Sequence, residues 1–511
     1  MTDNENIKDI VEKEEPIDET STVFSTPTVH KDRKKAGKFA LLKLPIIAVL
    51  VVALLVSSIY FVVKYIAIPE EEQVTQFAPS NTLSYNAASL KKITVTNKYN
   101  TLVFNSNIVE SDGTSSQVWT LEGYDNSLID SATINQLASY AAAFQTFGEY
   151  TFDETVDYGF GSPLVKIDVE SDTIEPYSLT IGNSTADSSY CYVRISSIPD
   201  KVYLMVSGIA TSFLVQPLDL AKNDAIPGVL KTDKNSKYFD EDGSLTTFDS
   251  ITFSGRKFKE PLVFTPNTNN SFSSYATYIC TSPKLRVADN IDDIRALFEA
   301  GPAPSRTVSF DQSPEKLKEF GLDNPLWRIT MKLGKETYTY LVTPTDDSNV
   351  DFYVASSTDQ MIRVVTINNM KFLDYEESQF YFGFMALESI RDISEFSLTG
   401  EINTTFKLNY DTEEAKYNIT NGGKEVVADF FQTFYSQFIQ ITAISFDTTT
   451  ISGPADLTIT MKHHDGSKDT VVSFKKINDT RYQYYVGGIP MGQIPASGYN
   501  VITREINKLI P

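Results

Sequence analysis

A chain of 511 residues is too long for one domain, and 41% apolar residues are enough to bury several cores. The formal charge of −22 excludes a nucleic-acid binder, which needs a basic surface, and two cysteines, Cys191 and Cys280, exclude a disulfide framework. Aromatics at 12% lean the chain toward β-structure.

Residues 1–43 read as a tail. An acidic, polar stretch without apolar period comes first and is expected to be disordered. A basic cluster follows: Lys31, Arg33, Lys34, Lys35, Lys38 and Lys43. Leu44 to Val63 then carries no charge, and a helix of that length spans roughly 30 Å, the thickness of a bilayer core. Pro45 falls in its first turn, where a missing N–H does no harm. A transmembrane helix is therefore expected over 44–66, with the lipid bilayer as its partner through Leu44 to Val63. No small-residue cleavage site follows the apolar run, which argues against a signal peptide, and no Cys follows it, which argues against a lipoprotein anchor. The basic flank predicts an uncleaved single-pass signal-anchor in the cell membrane, N-terminus cytoplasmic and C-terminal region extracytoplasmic. Residues 67–89 read as a polar linker.

The remainder reads as three copies of one unit, at 90–217, 248–371 and 393–511, with linkers at 218–247 and 372–392. Alternating strands open each copy: LKKITVTN from Leu90, FDSITFSG from Phe248 and ISEFSLTG from Ile393. A second strand follows each, and then an amphipathic helix. Its stripe is Ile134, Leu137, Ala138, Ala141 and Phe144 in the first copy, and Ile291, Ile294, Leu297 and Phe298 in the second. In the third it is Val427, Phe430, Phe431, Phe434 and Phe438. Asp130, Ser131, Asp289 and Asn290 supply cap acceptors for the first two helices.

A short strand then ends in a Phe-Asp pair: Phe152-Asp153, Phe310-Asp311 and Phe446-Asp447. A Gly/Pro loop follows, Tyr158 to Pro163, Phe320 to Pro325, and a degraded Gly453-Pro454 without the aromatic-Gly pair. Two paired strands lead to Tyr192-Val193, Tyr353-Val354 and Tyr485-Val486, which lie 29, 28 and 31 positions beyond the loop Pro. The fold class expected is α+β: three repeated antiparallel-sheet-plus-helix domains, the third degenerate, after a single N-terminal transmembrane helix.

Catalytic groups are sparse. His30 belongs to the tail, and His463 and His464 are adjacent beside Asp465-Gly466, a hairpin signal. Neighbours on a strand point to opposite faces, so the two imidazoles read as a solvated hairpin end rather than a metal site. Asp153, Asp311 and Asp447 offer carboxylates for a hydrolase of the two-carboxylate kind, but one Asp at each strand end reads more simply as a turn acceptor. Asp240-Glu241-Asp242-Gly243 fails calcium-loop spacing, and no phosphate-binding glycine loop is present. Trp119 and Trp327 are read as packing residues, with a sugar-stacking platform as the alternative. Cys191 and Cys280 fall in different copies, and their pairing stays open. No catalytic, cofactor or metal residues are assigned.

The order of these motifs resembles a bacterial membrane-anchored family, domain of unknown function 4340. The resemblance is carried by Trp119-Thr120-Leu121, Tyr158 to Pro163, Leu179 to Asn183, Tyr192 to Arg194 and Val202 to Met205, and in the second copy by Phe320 to Pro325 and Phe352 to Val354. Members are often encoded near subunits of ABC-type transport systems, which implies membrane or cell-envelope protein partners. The expected function is a non-enzymatic, membrane-anchored extracytoplasmic scaffold or accessory subunit of such an assembly. A cell-surface module binding cell-wall glycan or a partner protein is the alternative, with a carboxylate-based hydrolase behind it.

Overall fold

A computed structural model describes residues 79–111, 114–229, 236–268 and 276–510. Alternation of apolar and polar residues becomes strand throughout. In Leu90–Asn97 (β2) the buried residues are Leu90, Ile93 and Val95, with a register shift between Leu90 and Lys92 that restores the apolar face. Strands at this period need partners for their free amides and a layer over the apolar face, and three large antiparallel sheets supply both. All three belong to one compact unit, Ala78–Pro511.

The first sheet is two meanders joined at their first strands. One comprises β2, Thr101–Ser111 (β3) and Thr114–Leu121 (β4). The other comprises Val165–Ser171 (β6), Tyr177–Ser184 (β7), Tyr190–Ile195 (β8) and Lys201–Val206 (β9), with β2 antiparallel to β6. Ala143–Thr151 (β5) lies beside β9, and Ser80–Ser84 (β1) closes that edge.

The second sheet has the same plan. Ser250–Ser254 (β10), Leu262–Pro266 (β11), Tyr278–Ser282 (β12) and Arg286–Val287 (β13) form one meander. Trp327–Leu333 (β15), Glu336–Pro344 (β16), Asp351–Ser356 (β17) and Ile362–Thr366 (β18) form the other, with Arg306–Ser309 (β14) beside β18. In the third, Ile393–Gly400 (β19), Thr404–Asp411 (β20), Lys416–Asn421 (β21) and Lys424–Val426 (β22) meet Leu457–His463 (β23), Thr470–Asn478 (β24), Arg481–Val486 (β25) and Ile489–Pro495 (β26). There the edge position holds only a bridge, Ser445 to Gln493.

Each sheet carries a short helix between its meanders: Ser131–Ala142 (α1), Ile291–Ala300 (α3) and Ala428–Ile439 (α5). Asp130 caps α1 by accepting from the Ala132 amide at 3.0 Å. Asn290, at the same place before α3, sits instead at φ +56° and makes no side-chain cap bond. The apolar faces of α1 and α3 bury the expected stripes, except that Phe144 belongs to β5. In α5 the buried residues are Phe431, Phe434, Tyr435 and Phe438, all ringing Phe396 of β19 at 5.7, 5.8, 6.1 and 5.8 Å between ring centres. A buried Phe contributes about 1.5–3 kcal/mol, so this cluster anchors the third core. Two six-residue helices, Ser207–Ser212 (α2) and Pro314–Glu319 (α4), and a 12-residue one, Ala496–Asn507 (α6), are also present.

Two expectations are corrected. The fold is mostly β rather than α+β: among the described residues twenty-six strands in three sheets outweigh six helices, none longer than 12 residues. β1 falls in the stretch read as a polar linker, and β12, β21 and β22, which lie at or next to a sheet edge, were not anticipated, because strands of three to six residues carry too few alternations to show a period. Among the described residues, the linkers hold short 3₁₀ turns, Pro217–Leu220, Lys371–Asp374 and Glu377–Phe380. The transmembrane helix, the single-pass placement and the extracytoplasmic address are also corrected. Among the described residues no helix is long and apolar enough to cross a membrane. A 12-residue helix reaches about 18 Å against a bilayer core of roughly 30 Å. Leu44 to Val63, the tail and His30 lie outside the described residues.

Candidate functional site

The three Phe-Asp pairs occupy matching places, where the edge segment leaves the last strand of the second meander. The Phe152 amide donates to Asp200 O (2.8 Å), Phe310 follows β14, and Phe446 follows the Ser445 bridge. In the second and third copies the Phe is a joint between sheets. Phe310 packs on the core of the first sheet and lies 5.1 Å from the Tyr124 ring. Phe446 packs on the core of the second, 5.2 Å from the Tyr381 ring. Phe152 is roofed by the Arg194 guanidinium, 4.2 Å above its ring.

The carboxylates are spent locally. Asp153 accepts from the Thr155 hydroxyl (2.7 Å) and amide (2.9 Å), which hold it below the usual carboxylate range. The side chain and amide of Ser313 do the same for Asp311. Asp447 accepts from the Ser445 hydroxyl at 3.1 Å. Each Asp serves its own turn, and the three stand at three different sheet edges.

The aromatic-Gly loops are packing devices. Tyr158 meets Tyr192 at 5.2 Å and Phe320 meets Tyr353 at 4.8 Å, which explains the near-constant spacing from loop to Tyr-Val strand. Where the third copy lacks the aromatic, Lys475 lies over the Tyr485 ring at 5.5 Å and donates to Ile451 O and Gly453 O.

The other residues singled out do not converge. His463 ends β23 and its Nε2 lies 3.4 Å from the Thr470 hydroxyl, whereas His464 begins the turn and is exposed. That turn runs to Thr470, longer than the two-residue hairpin expected. Asp240 and Asp242 both accept from the Ser244 amide at 2.8 Å, closing their own turn. Trp119 and Trp327 are buried, so neither can stack on a sugar. Cys191 and Cys280 are both buried and unpaired. Among the described residues no group of three or more His, Cys, Asp or Glu converges on a point.

Charged groups do meet at the seam between the second and third sheets. Arg286, only 3% exposed, reaches across it. Its Nη1 donates to Leu285 O (2.7 Å) and Pro490 O (2.9 Å), and its Nη2 to Phe446 O (2.9 Å). Its Nε is buried with no partner. Burial lowers the pKa of the guanidinium, which nonetheless stays charged. A half-open cavity of about 610 Å³ lies against it, lined also by Lys284, Glu376, Glu377, Ser378, Tyr381, Ser445, Phe446 and Asp447. The Tyr381 hydroxyl donates to Glu377 (2.7 Å), and burial and that carboxylate push its pKa up. Burial pushes the nearby Cys280 thiol up to about 11.

A second feature lies at the helix starts. The chain leaving the first sheet crosses back over the start of α1: Asp130 N donates to Leu220 O and Lys222 N to Leu128 O. The chain leaving the second does the same over α3: Asp289 N donates to Phe380 O and Phe382 N to Val287 O. At the corresponding place on the third sheet, Val427 is 56% exposed and Phe430 is 65% exposed. Phe430 lines a groove with Thr433, Phe434, Glu505, Lys508 and Leu509, between α5 and α6.

No family model, no curated protein and no solved structure matches the chain. The resemblance to domain of unknown function 4340 therefore rests on the residues quoted for it.

The seam and the bare helix start were both missed in sequence. Arg286 stands between Leu285 and Val287, two positions after Lys284, and such alternation reads as a solvent-facing charge on a half-buried strand, so the sequence carries no signal of its burial. Val427 and Phe430 were read into the buried stripe because they fit its spacing, whereas the face that packs is set by Phe431, Phe434 and Phe438, with Tyr435 added.

Proposed function

We propose that the chain is a non-enzymatic scaffold that docks a partner protein at the start of α5 on the third sheet. The observation that carries this is the bare pair Val427 and Phe430, at the position which an outgoing chain segment covers on the other two sheets. The occupant is an extended segment of a partner bearing apolar or aromatic side chains, as Leu220-Ala221 and Phe380-Tyr381 are in the internal versions. Main-chain hydrogen bonds from an extended segment to exposed backbone, with pockets for alternate side chains, are a known way for one protein to capture another. The local closure of Asp153 and Asp311 by their own turns supports binding over hydrolysis. The burial of both tryptophans weighs against the glycan reading. Given the resemblance, a subunit of an ABC-type transport assembly is the first partner to test.

A photo-crosslinking residue placed at Phe430 in cells, with one at exposed Tyr99 as control, tests the reading. The expected result is a discrete product from position 430, absent from position 99, identified as a transport-system subunit and lost on Val427→Asp while the melting temperature holds. Crosslinking indifferent to both the position and Val427→Asp would refute it.

A further inference from the structure

We propose that the seam cavity beside Arg286 binds a small zwitterion of the amino-acid class, its carboxylate on Arg286 and its ammonium facing Glu377 and Asp447. The buried guanidinium is the starting point. Its bonded partners are carbonyl oxygens, which orient it without neutralising it. Among the described residues it makes no ion pair, and its Nε remains unpartnered beside a cavity of about 610 Å³, inside the range typical of small-molecule sites. A buried cation without a contacting anion is unfavourable, and a ligand carboxylate would supply that charge where the side chain borders the cavity.

The rest of the lining selects among anions. Glu376 is occupied by Lys257 at 2.8 Å. Glu377 accepts from Tyr381 and Asp447 from Ser445, and both keep further acceptor capacity as carboxylates. Lys284 also borders the cavity, so the lining is mixed in charge: Glu377 and Asp447 attract an ammonium, and Arg286 with Lys284 attracts a carboxylate. A monocarboxylate with a cationic amine satisfies the floor and the wall together.

The full chain, isotopically labelled, is titrated with glycine, acetate and inorganic phosphate, and amide shifts are followed. Glycine is expected to saturate, moving the amides of Leu285, Ser445 and Phe446. Loss of a charge-assisted hydrogen bond is worth about tenfold in affinity or more, so acetate binds at least about tenfold more weakly than glycine. Glu377→Gln weakens glycine by a similar factor and leaves acetate unchanged, whereas Arg286→Lys weakens both. Since Arg286 also ties the sheets together, the wild-type shift map and Glu377→Gln decide the matter if Arg286→Lys unfolds. No saturable shift at the seam, or phosphate binding more tightly than glycine, overturns the proposal.

Discussion

Replacing Asp359 with Ala tests how the first two sheets are fastened. Asp359 and Arg363 are 5% and 3% exposed, and the Arg363 Nε donates to Asp359 at 2.9 Å. The Arg363 Nη1 donates to Lys222 O (2.6 Å), on the chain leaving the first sheet, and to the Thr307 hydroxyl (3.3 Å) on β14. Asp359→Ala leaves a buried guanidinium without its anion, which costs about 3–5 kcal/mol. Asp172→Ala removes the partner of Lys91 from a pair whose side chains are 75% and 62% exposed, and such surface pairs are worth about 0–1 kcal/mol. The double replacement Asp359→Leu with Arg363→Met removes both charges and is expected to cost less than Asp359→Ala alone. The assay is urea unfolding of the three variants, with hydrogen exchange of β14 and β18 amides as a local reporter, since a chain of three sheets need not unfold in two states. A loss below about 1 kcal/mol for Asp359→Ala, or a double variant no milder than the single, would refute the reasoning.

Other positions make equally definite claims. Gly301 has φ +69°, and an added Cβ would stand 1.8 Å from Ile226 O, so Gly301→Ala should cost well over the roughly 1–3 kcal/mol of left-handed strain. Gly422→Ala, at φ +56° in open space, should cost only the strain, and equal denaturation midpoints would show the contact to be irrelevant. The Tyr238 hydroxyl first, then the Gly334 amide and Lys237, hold Asp249 below the usual carboxylate range. That stabilisation is complete above the ordinary carboxylate pKa and is lost as pH falls through the lowered value, so Asp249→Asn should flatten the acid limb of the melting profile. An unchanged acid limb would count against it. Cys191 and Cys280 should stay silent to a thiol reagent at pH 8 until the protein is denatured, and rapid native labelling of either would contradict their burial.

The sequence was most informative where a single period decided the outcome. The alternation in Leu90–Asn97 and the three-four spacing from Ile291 to Phe298 predicted a strand and a helix face that both appear. The Phe-Asp pairs were visible as repeated letters, but their role was not. A Phe at a strand end looks alike whether it packs on its own sheet or on the preceding one, and only tertiary structure separates Phe310 on the first core from Phe152 under Arg194. The balance of helix and strand was misjudged because strands such as Arg286–Val287 are held by neighbours rather than by their own pattern. For the same reason Arg286 was overlooked: its partners, Phe446 and Pro490, are 160 and 204 positions away.

The return of Leu220–Lys222 over the start of α1, and of Phe380–Phe382 over α3, governs how this chain can be cut apart. A fragment ending with the last strand of its own sheet, at Val206 or Thr366, would strip amides from its helix start and bare apolar surface there. Separately expressed pieces should therefore keep about twenty further residues, past Lys222 or past Phe382, before the stop codon.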